Sequence, residues 1–481
     1  MITSVRNPKI AEALKLHKRA FRERERVFLV EGVQALGEAL SRPGGISTLF
    51  HADPSHALVE RARAAGVATV HVSEDVIARL TGTVTPQGFV GVAPFVDVPL
   101  DDLPEHLACV TLLHEVRDPG NAGTVLRSAD AVGADAVVFS SSSVDAYNAK
   151  TVRASAGSLF HLPIVRGPDT APAIDVLRAR GMRILAMDAS GEGDLYEQDL
   201  SDPVAFVFGN EAWGLPKEIA ALADATVRVP ITGRAESLNL AAAATVCLFE
   251  WERQRREGRR AVLETVIAAA AHDIRSPLTA LKGIGHALAT RWEQMTSEDR
   301  DLMLAGIQFD TDRLNAILRQ LVDAARVAAG ALELFPQRTN VARVVEEIAT
   351  SLARDPDHVR VEWVGAGELT VFVDPERLRL VFEAFVESLV WWASEGPVLV
   401  EGHVADGRLS VQARRAGTEL TQDDAERLFR PRAPGTGSGS KIGLFVALGV
   451  AEAQGGDVSA GVSDGEPSFR LDLPVPAEPD A

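Results

Sequence analysis

ACVTLLHEVRDPGNAGTVLRSADAVGADAVVFSS, residues 108–141, sets the architecture of this chain. A largely apolar run of strand length leads into a helix over 121–132, and a second apolar run follows. Strands without strict polar alternation are buried on both faces, which calls for a parallel sheet with helices above and below it. The pattern continues downstream through helices at 148–156 and 171–180, strands RILAMD and VAFVFGN, helix 216–223, strand ATVRVP and helix 238–256. One α/β domain over 108–257 is therefore predicted. The charged segment RQRREGRR, 253–260, is expected to break the helical periodicity and mark its end.

Upstream, a basic helical stretch at 9–26 precedes VFLVEGVQALGEAL, and short strands and helices then alternate up to TPQGFVGVA. This predicts a smaller α/β domain over 1–98, with a Pro- and Asp-containing linker at 99–105. Downstream, helices at 261–293 and 298–330 flank a turn containing TSED, an N-cap signature, and predict an αα-hairpin. A last α/β region spans 340–476, with strands VRVEWV, LTVFV, PVLVEGHV, RLSVQAR and SFRLDLP and a Gly/Ser-rich loop.

Four domains suit 481 residues at about 100–200 residues each. Two cysteines, Cys109 and Cys247, make neither a disulfide framework nor a thiolate cluster, so a reducing cytoplasm is expected. The start has no apolar core of a secretory signal, and no run of ~18 apolar residues occurs, so a soluble protein without a membrane partner is expected. The formal net charge is −18, which argues against indiscriminate polyanion binding. Charge is uneven: residues 1–30 hold eight Lys or Arg against three Glu, whereas 261–481 hold 21 basic against 34 acidic residues. Nucleic acid would meet the N-terminal end.

Three clusters lie where a strand of the central domain gives way to a helix, the usual ligand rim of an open parallel sheet. They are DPGNAGTVLRSADAVGAD with Asn121 and Arg127, VFGNEAWGLPKE with Gly209, Asn210 and Glu211, and VRVPITGRAESLNLAAAATV with Ser237, Leu238 and Asn239. Singly, each reads equally well as turn glycines, a solvated arginine or an N-cap. In this order and spacing they resemble the motifs of the SpoU/TrmH branch of the SPOUT RNA methyltransferases, across essentially all of 108–257. The resemblance implies a trefoil-knot sheet, an exception to the rule against knots, with S-adenosylmethionine held largely by backbone. It places Gly209, Asn210, Val229, Ile231 and Leu238 around the donor.

The implied reaction is methyl transfer to a ribose 2′-hydroxyl of ribosomal or transfer RNA. A permanently charged guanidinium suits the developing oxyanion, and Arg127 matches that position. Asn121, Glu211, Ser237 and Asn239 match polar positions that orient ribose and donor. No metal is implied, His114 and His161 being isolated in sequence, and family members are homodimers that share active-site residues across the interface. Residues 1–95 look like the substrate-binding domain of these enzymes, with Arg6, Lys9, Lys15, Lys18, Arg19 and Arg22 as phosphate contacts.

The segment AAAHDIRSPLTALK, 269–282, resembles the phosphoacceptor box of sensor histidine kinases, with His272 as the acceptor, Asp273 beside it and Pro277 inside the helix. Residues 340–476 resemble the ATP-binding domain of those kinases in a degenerate form. Positions that hold magnesium-binding asparagines in that family read Ala384 and Ser388 here. The adenine-binding aspartate reads Arg415, which accepts no amino proton. Gly437 to Gly443 keep the Gly-rich character of a phosphate cradle. ATP and magnesium binding stay open on this reading. The leading expectation is an RNA 2′-O-methyltransferase with a kinase-like dimerisation or regulatory tail. The alternative is a signalling histidine kinase with an RNA-binding input domain.

Overall fold

The computed structural model describes residues 1–83, 85–104, 106–352, 359–365, 369–393, 395–405, 407–417, 428–429, 442–463 and 466–475. It divides into two compact units, 1–256 and 257–481.

The first unit opens with α1 (Pro8–Lys15), α2 (Arg19–Glu25), β1 (Val27–Glu31), α3 (Val33–Leu40), β2 (Thr48–His51), α4 (Ala57–Ala64), β3 (Ala68–His71), α5 (Glu74–Thr81) and β4 (Phe89–Pro94). Its four strands form a sheet of order β1-β4-β2-β3, parallel only between β2 and β3. The larger sheet takes β5 (Asp97–Val98), β6 (Cys109–Leu113), β7 (Ala136–Phe139), β8 (Ile164–Arg166), β9 (Arg183–Met187), β10 (Gly193–Asp194), β11 (Val204–Phe208) and β12 (Ala225–Arg228). Its order is β10-β12-β9-β11-β6-β7-β8-β5, and every pairing is parallel. The helices between these strands are α6 (Pro119–Val132), α7 (Ala149–Ser155), α8 (Thr170–Ala179) and α9 (Lys217–Ala220), with α10 (Leu240–Arg291) after β12.

The apolar strands are buried on both faces, as the run at 108–113 required. Val204, Phe206 and Phe208 of β11 face one core and Ala205 and Val207 the other, the period-2 alternation of a strand. The first of these cores is continuous with Phe28, Val30 and Leu36 beside the four-stranded sheet, so both sheets of this unit share one apolar interior.

Two expectations need correction. The run 253–260 does not interrupt the helix: it lies inside α10, where Arg256 pairs with Glu252 and Arg260 with Glu264 one turn apart. Arg22 is not available to RNA. Its guanidinium is 2.6 Å from Asp145, both side chains are about 95% buried (6% and 5% exposed), and it also donates to the carbonyls of Leu16 and His17. A guanidinium placed so deep is held by its partners and cannot reach a solvated phosphate. Of the other basic positions, Lys15 and Arg19 are exposed but paired with Glu12 and Glu23. Arg6, Lys9 and Lys18 are exposed, and no ion pair involves them among the described residues.

Arg22 belongs to a network that joins the N-terminal helices to the large sheet. Arg166 lies between Asp145 (3.4 Å) and Glu23 (3.0 Å) and stacks over Phe95 and Tyr147 at 4.8 and 4.6 Å. The Tyr147 hydroxyl donates to Asp97 and accepts from the N–H groups of Val96 and Asp97. Asp145→Ala would leave Arg22 charged and unpaired in the interior, a change that costs about 3–5 kcal/mol. We expect a loss of that size for the first unit in urea denaturation. A loss under ~1 kcal/mol would be that of an ordinary surface pair.

In the second unit, α11 (Ser297–Ala329) starts from a capping box between Thr296 and Asp299, the role read from TSED. Further on lie β13 (Gln337–Asn340), α12 (Val341–Leu352), β14 (Val361–Trp363), β15 (Thr370–Val373), α13 (Pro375–Trp392), β16 (Glu395–Ala405), β17 (Arg408–Ala416), β18 (Asp457–Ser463) and β19 (Glu466–Pro474). A mixed five-stranded sheet, β14-β16-β17-β19-β18, packs on α12, α13 and the helix Gly443–Ala453, while β13 and β15 pair separately.

Candidate functional site

Four loops at the carboxyl ends of β6, β9, β11 and β12 meet at one rim. Between them lies a cavity of ≈ 320 Å³. Its walls include all five residues expected around the donor, Gly209, Asn210, Val229, Ile231 and Leu238, together with Glu211 and Ser237. Asp188 and Trp213 also line it, and neither was singled out from sequence.

Gly209 is dictated by packing. A Cβ there would lie 2.3 Å from the carbonyl carbon and oxygen of Gly214 and 2.5 Å from the nitrogen of Leu215, all of them backbone atoms. Gly214 itself sits at φ +70°, where glycine carries no steric cost. Asn210 and Gly214 exchange two backbone hydrogen bonds of 2.9 Å, and the Asn210 amide donates to the Glu115 carbonyl at 2.7 Å. Asn210, 5% exposed, thus pins the loop after β11 to the loop after β6.

A second, more open cleft adjoins the first and shares Asn210, Glu211, Ala212 and Trp213 with it. It is completed by Arg117, Asp118, Asn121 and Asn239. Three of the expected orienting residues are hydrogen-bonded in series here. The Asn239 amide donates to Asn121 Oδ1 (3.1 Å), and Asn121 Nδ2 donates to Glu211 Oε1 (3.1 Å). The Glu211 carboxylate also accepts from the backbone N–H groups of Arg117 and Asp118 at 3.0 and 2.9 Å. Burial raises the Glu211 pKa, but those two N–H groups and the Asn121 amide outweigh it, so the carboxyl titrates below its ordinary value. Asn239 caps α10 by accepting from Ala241, and Asp118 caps α6 by accepting from Gly120 and Asn121. Ser237 is exposed and lines the first cavity.

Arg127 is placed elsewhere. It is exposed on α6, lines neither cavity, and no hydrogen bond or ion pair involves it among the described residues. Its neighbour Ser128 hydrogen-bonds to Thr245, which sets α6 against the start of α10, where Phe249 is 52% exposed. His161 is not isolated: Asp130 (2.8 Å) and Glu38 (3.2 Å) flank it, and the hydrogen bond to Asp130 chiefly raises its pKa against the effect of burial.

In the second unit, His272 is exposed on α10 with Nδ1 3.3 Å from the Asp273 carboxylate. Ser388 and Ala384 are buried, 2% and 1% exposed. Arg415 is also buried, and its guanidinium donates to the carbonyls of Gly396, Val390 and Ala393, two of them at the end of α13. The Arg415 guanidinium is thus a donor whose partners are internal carbonyls. Thr418, Glu419 and the Gly-rich stretch up to residue 441 lie outside the described residues.

Residues 108–249 match the SpoU rRNA Methylase family, residues 7–91 the MRM3-like substrate binding domain, and residues 262–330 the His Kinase A (phospho-acceptor) domain. The 23S rRNA (guanosine(2553)-2′-O)-methyltransferase RlmP of Bacillus subtilis is 34% identical over 248 residues, 52% of this chain and 97% of that protein. The 23S rRNA (uridine(2479)-2′-O)-methyltransferase of Streptomyces viridochromogenes is 35% identical over 51% of this chain and 89% of its own length. A solved AdoMet-bound rRNA methyltransferase from Sinorhizobium meliloti is 36% identical, with a TM-score of 0.49, covering 52% of this chain and 97% of that one. Nearly the full length of the two relatives is thus accounted for by the first half of the sequence, and the chain belongs to the SpoU rRNA methylase family.

Proposed function

We propose that the chain transfers a methyl group from S-adenosylmethionine to a ribose 2′-hydroxyl of RNA, in ribosomal or transfer RNA. The observation that carries this reading is the junction of a cavity lined by Gly209, Val229, Ile231 and Leu238 with a neighbouring cleft braced by the hydrogen-bonded series Asn239, Asn121 and Glu211. Val229, Ile231 and Leu238 suit an adenosine face, and the glycine cradle at Gly209 and Gly214 lets a ligand approach the chain. When bound, S-adenosylmethionine supplies an electrophilic methyl group.

The protein's part is to position and polarise the nucleophile. Glu211 is a poor general base, since its carboxylate is occupied by three donors and its pKa is depressed. It fixes the loop after β6 and orients Asn121. Ser237 can hold a ribose hydroxyl by hydrogen bonding at the cavity mouth. The hydroxyl's proton must leave as the methyl arrives, and a guanidinium stabilises the oxygen meanwhile.

Arg127 lies outside both cavities of its own chain, so we assign that role to Arg127 of a second copy in a homodimer built on the α6–α10 face. Residues 1–98 bind RNA through Arg6, Lys9, Lys15, Lys18 and Arg19, and residues 108–257 carry out transfer. The hairpin 261–330 and the region 340–476 form a dimerisation or regulatory module in which the internal bonding of Arg415 disfavours purine binding. Two buried free thiols suit a reducing cytoplasm. Among the described residues no helix is long and apolar enough to cross a membrane.

The test is to incubate the purified chain with tritiated S-adenosylmethionine and total RNA. Label should appear in RNA, resistant to alkaline cleavage at the modified ribose. Absence of label in ribosomal and transfer RNA alike would refute the assignment.

A further inference from the structure

Trp213 is 61% exposed, an unusual placement for the largest apolar side chain. It does not hang from a loose loop. The segment Asn210–Gly214 closes on itself through two backbone bonds of 2.9 Å, the Ala212 N–H donates to Asn210 Oδ1 at 2.8 Å, and the buried Asn210 ties the turn to the Glu115 carbonyl. The indole is therefore presented at a fixed height. It stands in the wall common to the cavity assigned to the donor and the cleft of Arg117, Asn121 and Asn239. No ring stacking or cation–π contact involves it among the described residues.

We propose that Trp213 is the platform on which the base of the target nucleotide stacks, a step that rests on the RNA methyl-transfer reading above. Sequence-specific RNA recognition targets mainly single-stranded loops, bulges and ends, where a base can be splayed out of its stack as its ribose is presented to the cavity. The unstacked base then exposes a π face that needs a partner, and aromatic side chains supply one for any of the four bases. With the ribose at the shared rim, the base falls in the second cleft, whose exposed lining is largely apolar. There the indole covers one face, and the Asn121 and Asn239 amides border the cavity. Stacking alone is tolerant of sequence. On this arrangement Trp213 sets how firmly the nucleotide is held, and recognition of which nucleotide is left to the base edge and the basic N-terminal helices.

The experiment uses the full chain as wild type, Trp213→Ala and Trp213→Phe, with total RNA and tritiated donor. Calorimetric titration with S-adenosylhomocysteine and sedimentation are run in parallel. The expected result is a KM for RNA raised roughly tenfold or more in Trp213→Ala, largely restored in Trp213→Phe, with unchanged affinity for S-adenosylhomocysteine and unchanged association state. An unaltered KM in Trp213→Ala, while the wild type labels RNA, overturns the platform and leaves methyl transfer standing. A loss of S-adenosylhomocysteine affinity would assign the indole to the donor instead, and a shift in association state would assign it to the interface between copies. Either also overturns the proposal. A wild-type chain that labels no RNA overturns the parent reading and this one with it.

Discussion

Arg127→Ala is expected to lower methyl transfer to RNA by ~10²–10³-fold and to leave the donor affinity unchanged. The magnitude is that of removing one preorganised donor from a developing oxyanion. The separation of the two effects follows from position, since Arg127 lines neither cavity of its own chain. For the same reason the loss is correctable in trans. In a dimer whose sites each combine a donor cavity from one copy with a guanidinium from the other, Arg127→Ala chains supply intact cavities. Chains disabled in the cavity supply intact arginines. Random mixing of the two inactive variants should restore about a quarter of the wild-type sites, since half the dimers are mixed and one of their two sites is complete. No recovery on mixing, with each variant folded and dimeric, would put Arg127 and the cavity in the same copy and refute the shared site.

The parallel sheet was legible from sequence because it depends on apolar runs of strand length, whereas the residues expected around the donor were named through the resemblance of three motifs. Each apolar run is followed within a few residues by a turn glycine, an asparagine or a cap, and Asn121, Asn210, Ser237 and Asn239 follow β6, β11 and β12, whose carboxyl ends lie on one rim of a single parallel sheet with β9 between β12 and β11. What escaped the sequence depended on partners far along the chain. Arg22 reads as one more basic residue on a basic helix, and only Asp145, 123 residues away, makes it internal. Trp213 looks like an apolar residue awaiting a core, and its exposure follows from the tight closure of Asn210 on Gly214. The run 253–260 was misread for another reason. Dense charge is compatible with helix when opposite signs fall four residues apart, as Glu252 and Arg256 do. For Gly209 the family resemblance implied ligand approach as the reason for its small size. The structure adds a second reason, the backbone of Gly214 and Leu215 packed against it.

That second reason leads to a large effect from a single methyl group. Gly209→Ala places a carbon 2.3 Å from the Gly214 carbonyl and 2.5 Å from the Leu215 nitrogen, distances that no rotamer change can relieve because every atom involved is main chain. The turn must move outward, and with it go the paired bonds between Asn210 and Gly214 and the cavity wall that they hold. Overpacking of this kind typically costs 1–3 kcal/mol, and most of it falls on the element that shapes the donor cavity. We therefore expect S-adenosylhomocysteine affinity to drop by roughly 10- to 100-fold, at 1.4 kcal/mol per tenfold. Gly233→Ala is the matched control. It lies in the loop between β12 and α10, and a Cβ there meets nothing within 4 Å. Its donor affinity should equal that of the wild type. Calorimetric titration of the two variants side by side decides the matter. Wild-type affinity in Gly209→Ala would mean that the turn yields freely and is not the rigid wall on which the cavity, the Glu211 brace and the exposed indole all depend.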